Sequence, residues 1–299
     1  MIPFPVAGVA RPNFLILTPI CISLGLASVL LSERVVDWGS LVVILVGALM
    51  AHVSVNALNE YQDFRSGLDF KTERTPFSGG SGTLVMQPRL ASQALVLGLV
   101  SLGITLACGL FLIQRTGWGL MPIGLLGVTI ILFYTGWINR HRYLVLIAPG
   151  LSFGPLMVVG TDYALTGSYS GVALLLSAVP FFMVNNLLLM NQIPDIEADR
   201  TVGRDNFAIA LKSDKTAMLY LSSATLAYLA VVAGVMGGVL PTAAAIPLVT
   251  LPLSYQAYVQ IREYRGEVST LVPALGKNVV VTLATPLLLF VGILFDKLL

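Results

Sequence analysis

Residues 38–63 read WGSLVVILVGALMAHVSVNALNEYQD, and this segment is the strongest indication of the fold class. Before Glu60 it contains no acidic side chain and no Lys or Arg. An α-helix of about 20 consecutive, mostly apolar residues crosses the hydrocarbon core of a bilayer. The stretch therefore predicts a membrane-spanning helix with polar groups near its C-terminal end.

The rest of the chain has the same apolar character. Of its 299 residues, 56% are hydrophobic and only 11% are charged, with a mean hydropathy of +0.87. Soluble domains carry about 25% charged residues, and their surfaces must face water, so a soluble fold is excluded. The net charge of +2 is too small and too scattered for a nucleic-acid-binding surface. We expect a single all-α, polytopic membrane domain over residues 1–299, with membrane lipid around it.

Nine segments have the length and composition of membrane helices. Gly and Pro recur within them, as membrane helices tolerate. We therefore predict nine transmembrane helices bundled around a central cavity, with Asp-rich loops on the cytoplasmic side. The predicted spans are approximately residues 12–32, 38–62, 91–113, 117–137, 143–162, 169–194, 214–239, 241–261 and 276–295.

The basic residues indicate the orientation. If the N-terminus lies in the cytoplasm, 14 of the 17 Lys and Arg residues fall in cytoplasmic segments, as the positive-inside rule expects. Only Arg34, Arg115 and Lys297 then lie outside. We predict a multi-pass protein of the bacterial inner membrane, with a cytoplasmic N-terminus and an external C-terminus.

Nine of the 15 acidic residues lie in two segments, after the second and sixth predicted spans. In the first segment Asn56, Asn59 and Asp63 share a helix face, because residues three and four apart lie together. Polar groups on a membrane helix usually face the bundle interior or a water-filled cavity. Ser66-Gly67 then predicts the end of the helix, so that Asp69 can fold back toward Asp63. Helix-end solvation alone would explain this segment equally well.

The second acidic segment ends the sixth span. Asn191, Asp195 and Asp199 lie four residues apart in turn and would share one helix face over about 12 Å. Pro194 is expected to kink the helix without removing that face. Carboxylate and amide oxygens suit Mg²⁺ rather than zinc or copper, and Mg²⁺ is typically held by one or two carboxylates together with substrate phosphates. The segment therefore predicts a Mg²⁺ site shared with phosphate.

The two segments belong together because each carries an amide followed four residues later by an aspartate, on the same predicted side. Two facing acidic clusters repel each other unless cations lie between them. Basic residues in nearby loops could bind phosphate oxygens, although the positive-inside rule alone would also place them there. They include Arg74, Arg140, Arg142, Arg204 and Lys212. We predict one joint site for a metal-bound diphosphate.

A diphosphate site at a membrane surface, beside an apolar cavity, points to a lipid diphosphate with its tail in the bilayer. Bound Mg²⁺ would make the diphosphate a good leaving group. An allylic tail would then form a delocalised carbocation, which survives where water is excluded and aromatic or carboxylate groups stabilise it. Tyr134 is one aromatic residue placed to do this, although aromatic residues are also common at membrane interfaces.

The two acidic segments resemble the Asp-rich motifs of the UbiA superfamily of intramembrane aromatic prenyltransferases. The stretch from Asn59 to Asp69, followed by Arg74, is similar to the first motif, and residues 191–204 are similar to the second. The resemblance covers nearly the whole chain. It implies a nine-helix fold, Mg²⁺ as cofactor, and a prenyl diphosphate and an aromatic molecule as substrates.

The resemblance also implies roles for single residues. Asp63, Asp69, Asp195 and Asp199 would be the catalytic, metal-binding residues. The substrate-binding candidates from both lines of argument are Asn59, Asn191, Arg74, Arg140, Arg204, Lys212 and Tyr134. The six-residue spacing of Asp63 and Asp69, together with residues 153–167, is similar to the branch that prenylates 1,4-dihydroxy-2-naphthoate in menaquinone synthesis.

Three questions stay open at this point. The acceptor could instead be 4-hydroxybenzoate, homogentisate, a tetrapyrrole or a glycerol phosphate, or the enzyme could cyclise its own prenyl substrate. A secondary transporter is an alternative of another class, but transporter sites tend to lie near the bilayer midplane, whereas these acids lie at helix ends. The glycine-rich loop Ser78–Gly82 is either a phosphate cradle or a flexible turn.

Overall fold

The computed structural model describes residues 5–298, and every regular element among them is helical. The predicted all-α class is confirmed. The α-helices are α1 Leu17–Leu31, α2 Trp38–Ser66, α3 Thr83–Met86, α4 Ala91–Thr116, α5 Met121–Phe133, α6 Arg142–Leu151, α7 Gly160–Thr166, α8 Gly171–Asn191, α9 Ile196–Thr201, α10 Phe207–Ala210, α11 Ser213–Met236, α12 Leu251–Glu263 and α13 Val268–Leu298. A π-helical segment, Ser152–Val159, joins α6 to α7, and 3₁₀ turns comprise Pro5–Ala10, Pro12–Phe14, Leu68–Phe70, Pro88–Leu90, Trp118–Leu120, Ile138–Arg140 and Thr242–Thr250.

Six helices in the described part of the chain are long and apolar enough to cross a membrane. A seventh span results if the pair Val6–Phe14 and Leu17–Leu31, bent by 47°, counts as one. The predicted span 117–137 corresponds to the shorter apolar helix Trp118–Phe133. The predicted span 241–261 is divided, because 3₁₀ turns over Thr242–Thr250 precede α12. The protein is therefore a multi-pass membrane protein, and the count of nine spans stays a prediction.

The outer surfaces of the helices are apolar. Leu110, Leu125, Leu174 and Leu229 are each more than half exposed, on four different helices. In water such a surface would be unfavourable by roughly 25 cal/mol for each Å² of apolar area. Lipid removes that penalty, so these side chains form the face that the bilayer contacts.

Close helix packing holds α6 against α8 beneath the polar end of the bundle. The backbone amide of Gly150 donates to Asn185 Oδ1 at 2.7 Å. A Cβ atom at Gly150 would collide with the carbonyl oxygen of Phe181 and with the Asn185 side chain. Only glycine therefore allows this approach. The contact fixes α8, whose C-terminal end carries the second acidic segment.

Ion pairs at the two ends of the bundle join segments that the predicted topology places on one side. Arg115 and Asp37, both predicted outside, pair at 2.8 Å. Arg11 and Glu60, both predicted in the cytoplasm or at its border, pair at 2.8 Å. Both ion pairs agree with the predicted sides of their segments, and the topology itself stays a prediction.

Candidate active site

The end of α2 positions the first acidic segment. The helix ends at Ser66, because Gly67 adopts a left-handed conformation with φ of 79° and its amide bonds back to Asp63 and Phe64. A 3₁₀ turn, Leu68–Phe70, then returns the chain. Asp63 and Asp69 consequently line the same cavity. This break in the helix was predicted from Ser66-Gly67.

The second acidic segment differs from its prediction. A single kinked helix was expected through residue 199, but α8 ends at Asn191 and α9 begins only at Ile196. Pro194 lies in the intervening turn, where its missing N–H removes a helical hydrogen bond. Asp199 donates its backbone amide to the carbonyl of Asp195 at 2.8 Å. The expected helix face is therefore wrong, yet all three polar residues still line one cavity.

Arg204 links the two acidic segments. Its guanidinium contacts the carboxylate of Asp63 and donates to Asp199 Oδ1 at 3.0 Å. Asn206 donates to the other Asp199 oxygen at 3.1 Å. Burial works against the charged form of Arg204, but the two carboxylates outweigh it and raise its pKa further above the ordinary value. Arg204 therefore stays a cation between two anions of opposite segments.

One cavity at this end of the bundle collects most of the predicted site. Eight predicted residues line it, four of them aspartates: Asp63, Asp69, Asp195, Asp199, Asn59, Asn191, Arg204 and Tyr134. Asn59 is further held by Thr135, which accepts from its Nδ2 at 3.0 Å. The elements that meet here are α2, α8, α9 and the turns around residues 68–80 and 134–139.

Four buried oxygen atoms at this cavity have no hydrogen-bond partner among the described residues. They belong to Asp69 (Oδ2), Asp195 (Oδ1), Asn191 (Oδ1) and Asn139 (Oδ1). Unpaired buried acceptors are rare because each costs about 1–3 kcal/mol. All four are hard oxygen ligands, which fits Mg²⁺. In the described part of the chain no group of three or more His, Cys, Asp or Glu side chains could hold a metal alone.

Two of these carboxyl groups are unusually weak acids. Burial, followed by the negative charges of Glu60 and Asp63, raises the pKa of Asp69 to about 7. Burial and the charge of Asp199 raise the pKa of Asp195 to about 7. A cation bound between them would favour their ionised forms. The concentration of buried carboxyl groups therefore favours the binding of a cation in this cavity.

Three predicted basic residues do not line this cavity. Arg140 and Lys212 are exposed side chains outside its lining. Arg74 is also exposed and lies behind the glycine-rich loop, where a Cβ at Gly82 would collide with its guanidinium. Arg142, another base noted in the sequence, pairs instead with Asp205 at 2.8 Å. The positive-inside rule accounts for the side on which these residues lie.

Sequence reasoning missed several lining residues, among them Arg11, Asn139 and Asn206. Arg11 was counted only for topology. Asn139 follows the fourth predicted span, and an amide at a cytoplasmic helix end, as at Asn191, was an available signal. Asn206 lies two residues after Arg204, just beyond the second segment. Their side chains enter the cavity only because distant turns fold together.

The glycine-rich loop takes an ordered conformation. Gly79 and Gly80 line the cavity and have φ angles of 82° and 74°. The backbone amide of Ser81 donates to Glu60 Oε1 at 2.6 Å. This amide is therefore occupied by a carboxylate of the protein, and the loop forms a wall of the cavity.

Comparison with known proteins places this geometry in context. A model of the UbiA prenyltransferase family matches residues 18–294. The chain is 30% identical over 196 residues to the 1,4-dihydroxy-2-naphthoate octaprenyltransferase of Bacillus subtilis, an alignment that covers 65% of this chain and 62% of that protein. It is 27% identical over 264 residues to the protein of the same name from Mycobacterium tuberculosis, covering 86% of each.

An animal protein and a solved structure are also similar to the chain. The chain is 29% identical over 254 residues to the UbiA prenyltransferase domain-containing protein 1 of Gallus gallus, covering 82% of this chain and 72% of that one. A solved structure concerning digeranylgeranylglyceryl phosphate synthase superposes with a TM-score of 0.65 and 13% identity, over 97% of this chain and 98% of that chain. At that identity the likeness concerns the fold alone.

Proposed function

Because the chain belongs to the UbiA prenyltransferase family, whose members transfer prenyl groups, we propose that it transfers a polyprenyl group from a prenyl diphosphate to 1,4-dihydroxy-2-naphthoate. The reaction would use Mg²⁺ and would serve menaquinone biosynthesis. The site would face the cytoplasm at the bacterial inner membrane. The family match favours an enzyme over a secondary transporter, because members of the family are prenyltransferases.

The observation that carries this proposal is the set of unpaired oxygens at one cavity. Asp69, Asp195, Asn191 and Asn139 present acceptor atoms without a partner among the described residues. With Asp63 and Asp199 nearby, they would hold Mg²⁺ bound to the diphosphate. The ion would neutralise the diphosphate and improve it as a leaving group.

The chain's own residues would bind and orient the substrate. The guanidinium of Arg204, now between Asp63 and Asp199, would turn part of its donor capacity to diphosphate oxygens. Tyr134 lines the same cavity and would pack against the allylic end of the prenyl chain, where an aromatic face stabilises positive charge. The helices around the cavity would exclude water from the developing cation.

The choice of acceptor rests on the relatives. The Bacillus subtilis and Mycobacterium tuberculosis proteins are both named for 1,4-dihydroxy-2-naphthoate. The spacing of Asp63 and Asp69 supports the same branch.

The test is a transfer assay on the purified protein. Radiolabelled prenyl diphosphate and Mg²⁺ would be incubated in parallel with 1,4-dihydroxy-2-naphthoate, 4-hydroxybenzoate, homogentisate and glycerol phosphate, and lipid extracts analysed by mass spectrometry. We expect a prenylated naphthalene product that requires Mg²⁺. If only another acceptor gives a product, that molecule is the acceptor and 1,4-dihydroxy-2-naphthoate is not. Full activity in EDTA would refute the requirement for Mg²⁺.

A further inference from the structure

Glu60 lies within the first acidic motif but is not a lining residue of the cavity. Its side chain is 1% exposed, and both oxygens are occupied. Oε1 accepts from Arg11 Nε and Nη2 at 3.0 and 2.8 Å and from the Ser81 amide at 2.6 Å. Oε2 accepts from the Ser81 hydroxyl at 2.9 Å. Oε1 accepts three of these bonds and is saturated, because each carboxylate oxygen has about two lone-pair sites. Oε2 accepts one bond, but it belongs to a buried side chain that does not line the cavity, so Glu60 is poorly placed to bind a metal ion there.

These bonds connect three segments that are distant in sequence. Glu60 belongs to α2, Ser81 to the glycine-rich loop, and Arg11 to the link between two N-terminal 3₁₀ turns. Arg11 has a left-handed backbone with φ of 50°, which is uncommon for a residue other than glycine. Asn56 of α2 donates to the neighbouring Ala10 carbonyl at 3.0 Å. Two side chains of α2, Glu60 and Asn56, therefore hold the segment around Arg11 in place.

Gly80 makes the junction tight. A Cβ atom there would lie 3.2 Å from Asp69 Oδ1, 3.2 Å from Glu60 Oε1 and 3.7 Å from Arg11 Nη2. Its φ of 74° also disfavours any side chain. The loop therefore passes between a carboxylate that faces the cavity and the Arg11–Glu60 ion pair.

Arg11 itself lines the cavity. Its guanidinium has five N–H donors, and Glu60 engages only the Nε and Nη2 atoms. No residue of the described range 5–298 accepts from its other donors, which leaves them for an anion in the cavity. Without Glu60, Arg11 would face the other carboxylates that line the cavity, among them Asp63 and Asp69.

We propose that Glu60 is a positioning residue that holds Arg11 at the cavity for contact with the diphosphate and fixes the glycine-rich loop as a wall of the site. Glu60 is therefore not a metal ligand, although it lies between the motif residues Asn59 and Asp63. This inference rests on the proposed function, because it describes how the same site binds its anionic substrate.

Kinetics of Glu60→Gln and Arg11→Gln, with Glu60→Asp as a conservative variant, test the role. We expect the KM for prenyl diphosphate to rise about tenfold or more in both Gln variants, as when a charged hydrogen bond is lost, with a smaller change in kcat. Glu60→Asp should recover part of the loss because the charge returns. Asp37→Asn, which removes an exposed ion pair at the other end of the bundle, is the matched control. An unchanged KM in both Gln variants would overturn the proposal.

A magnesium titration separates positioning from metal binding. At saturating prenyl diphosphate, Glu60→Gln should need the same Mg²⁺ concentration for half-maximal rate as the unaltered protein. Asp195→Asn should need much more. A rise in Glu60→Gln as large as that in Asp195→Asn would make Glu60 a ligand and contradict the inference.

Limited trypsin digestion tests the loop without any reaction. Arg74 is exposed and precedes the loop, so cleavage after it reports on loop order. Cleavage should be faster in Glu60→Gln and Gly80→Ala than in Gly238→Ala, because Gly238 has a similar φ of 69° but open space around it. Equal rates in all three would overturn the proposal. Accelerated cleavage in a protein whose unaltered form transfers no prenyl group would refute the proposed function and keep the role of Glu60 in the loop.

Discussion

The guanidinium of Arg204 contacts the carboxylate of Asp63 across 141 positions of sequence. Its Nη1 atom donates a hydrogen bond to Asp199, which lies five residues away in the same segment. One buried cation therefore joins two motifs that would otherwise repel. The surrounding acids still outnumber it, so the cavity keeps a capacity for added positive charge.

Replacing Arg204 with Gln should destabilise the ligand-free protein by about 3–5 kcal/mol, because two buried carboxylates lose their partner. Added Mg²⁺ with pyrophosphate should restore more stability to this variant than to the unaltered protein. Thermal unfolding in detergent measures both. Arg142→Gln, which breaks a half-exposed pair with Asp205, should change the Tm little; an equal loss in the two variants would contradict the bridging role.

Replacing Asp69 or Asp195 with Asn should lower the prenyl transfer rate at least about 10²-fold, a loss of some 3 kcal/mol of transition-state stabilisation. Each substitution keeps the volume and removes one charge from the cavity. Initial rates at several Mg²⁺ concentrations measure the effect. Glu197→Gln is the control, since this acid lies in the same motif but its side chain is 84% exposed. Loss of activity in the control alone would reverse the assignment.

The raised pKa values of Asp69 and Asp195 predict a pH dependence of stability. Their folded pKa of about 7 exceeds the ordinary value of 3.8, so their contribution to stability is present below about pH 4 and is lost as the pH rises through 7. In EDTA, the Tm of the unaltered protein should fall over this range relative to the Asp69→Asn, Asp195→Asn double variant. Mg²⁺ with pyrophosphate should reduce the fall. If the Tm depends on pH in the same way in both proteins in EDTA, the pKa values of Asp69 and Asp195 are not raised.

Gly150→Ala should destabilise the bundle by about 1–3 kcal/mol, the usual effect of overpacking. Its new methyl group would meet the Phe181 carbonyl and the Asn185 side chain. Gly103→Ala is the matched control, because nothing lies within 4 Å of the added atom and it also lies in a helix. Thermal unfolding of the two variants should therefore differ clearly. Similar Tm values for the two variants would show that α6 and α8 can move apart without loss of stability.

The predicted topology can be checked by cysteine labelling. In a background with Cys21 and Cys108 replaced by Ala, Ser168→Cys should react with a membrane-impermeant maleimide in intact spheroplasts. Ser269→Cys should react only after the membrane is permeabilised. Both serines are exposed. The reverse pattern would invert the orientation, and labelling of both in intact spheroplasts would contradict the predicted alternation.

Sequence reasoning performed best where the signal was local. The apolar run around residues 38–62 predicted α2 closely, because length and hydropathy alone determine a membrane helix. Prediction from sequence was least accurate for contacts between turns that are distant in the chain. The bases Arg140 and Lys212 were chosen from loop position, and they lie outside the cavity lining, whereas Arg11 was passed over. Position in a loop fixes the side of the membrane but not the direction of a side chain.

The amino-acid sequence is sufficient to predict a helical bundle in lipid with two acidic segments, because hydropathy and residue spacing can be read along the chain. Which polar groups share a cavity follows from the three-dimensional packing of the helices and turns. The Arg204 bridge and the Arg11–Glu60–Ser81 junction both depend on atoms that packing brings within about 3 Å, the range over which hydrogen bonds act, and sequence distance carries no information at that scale.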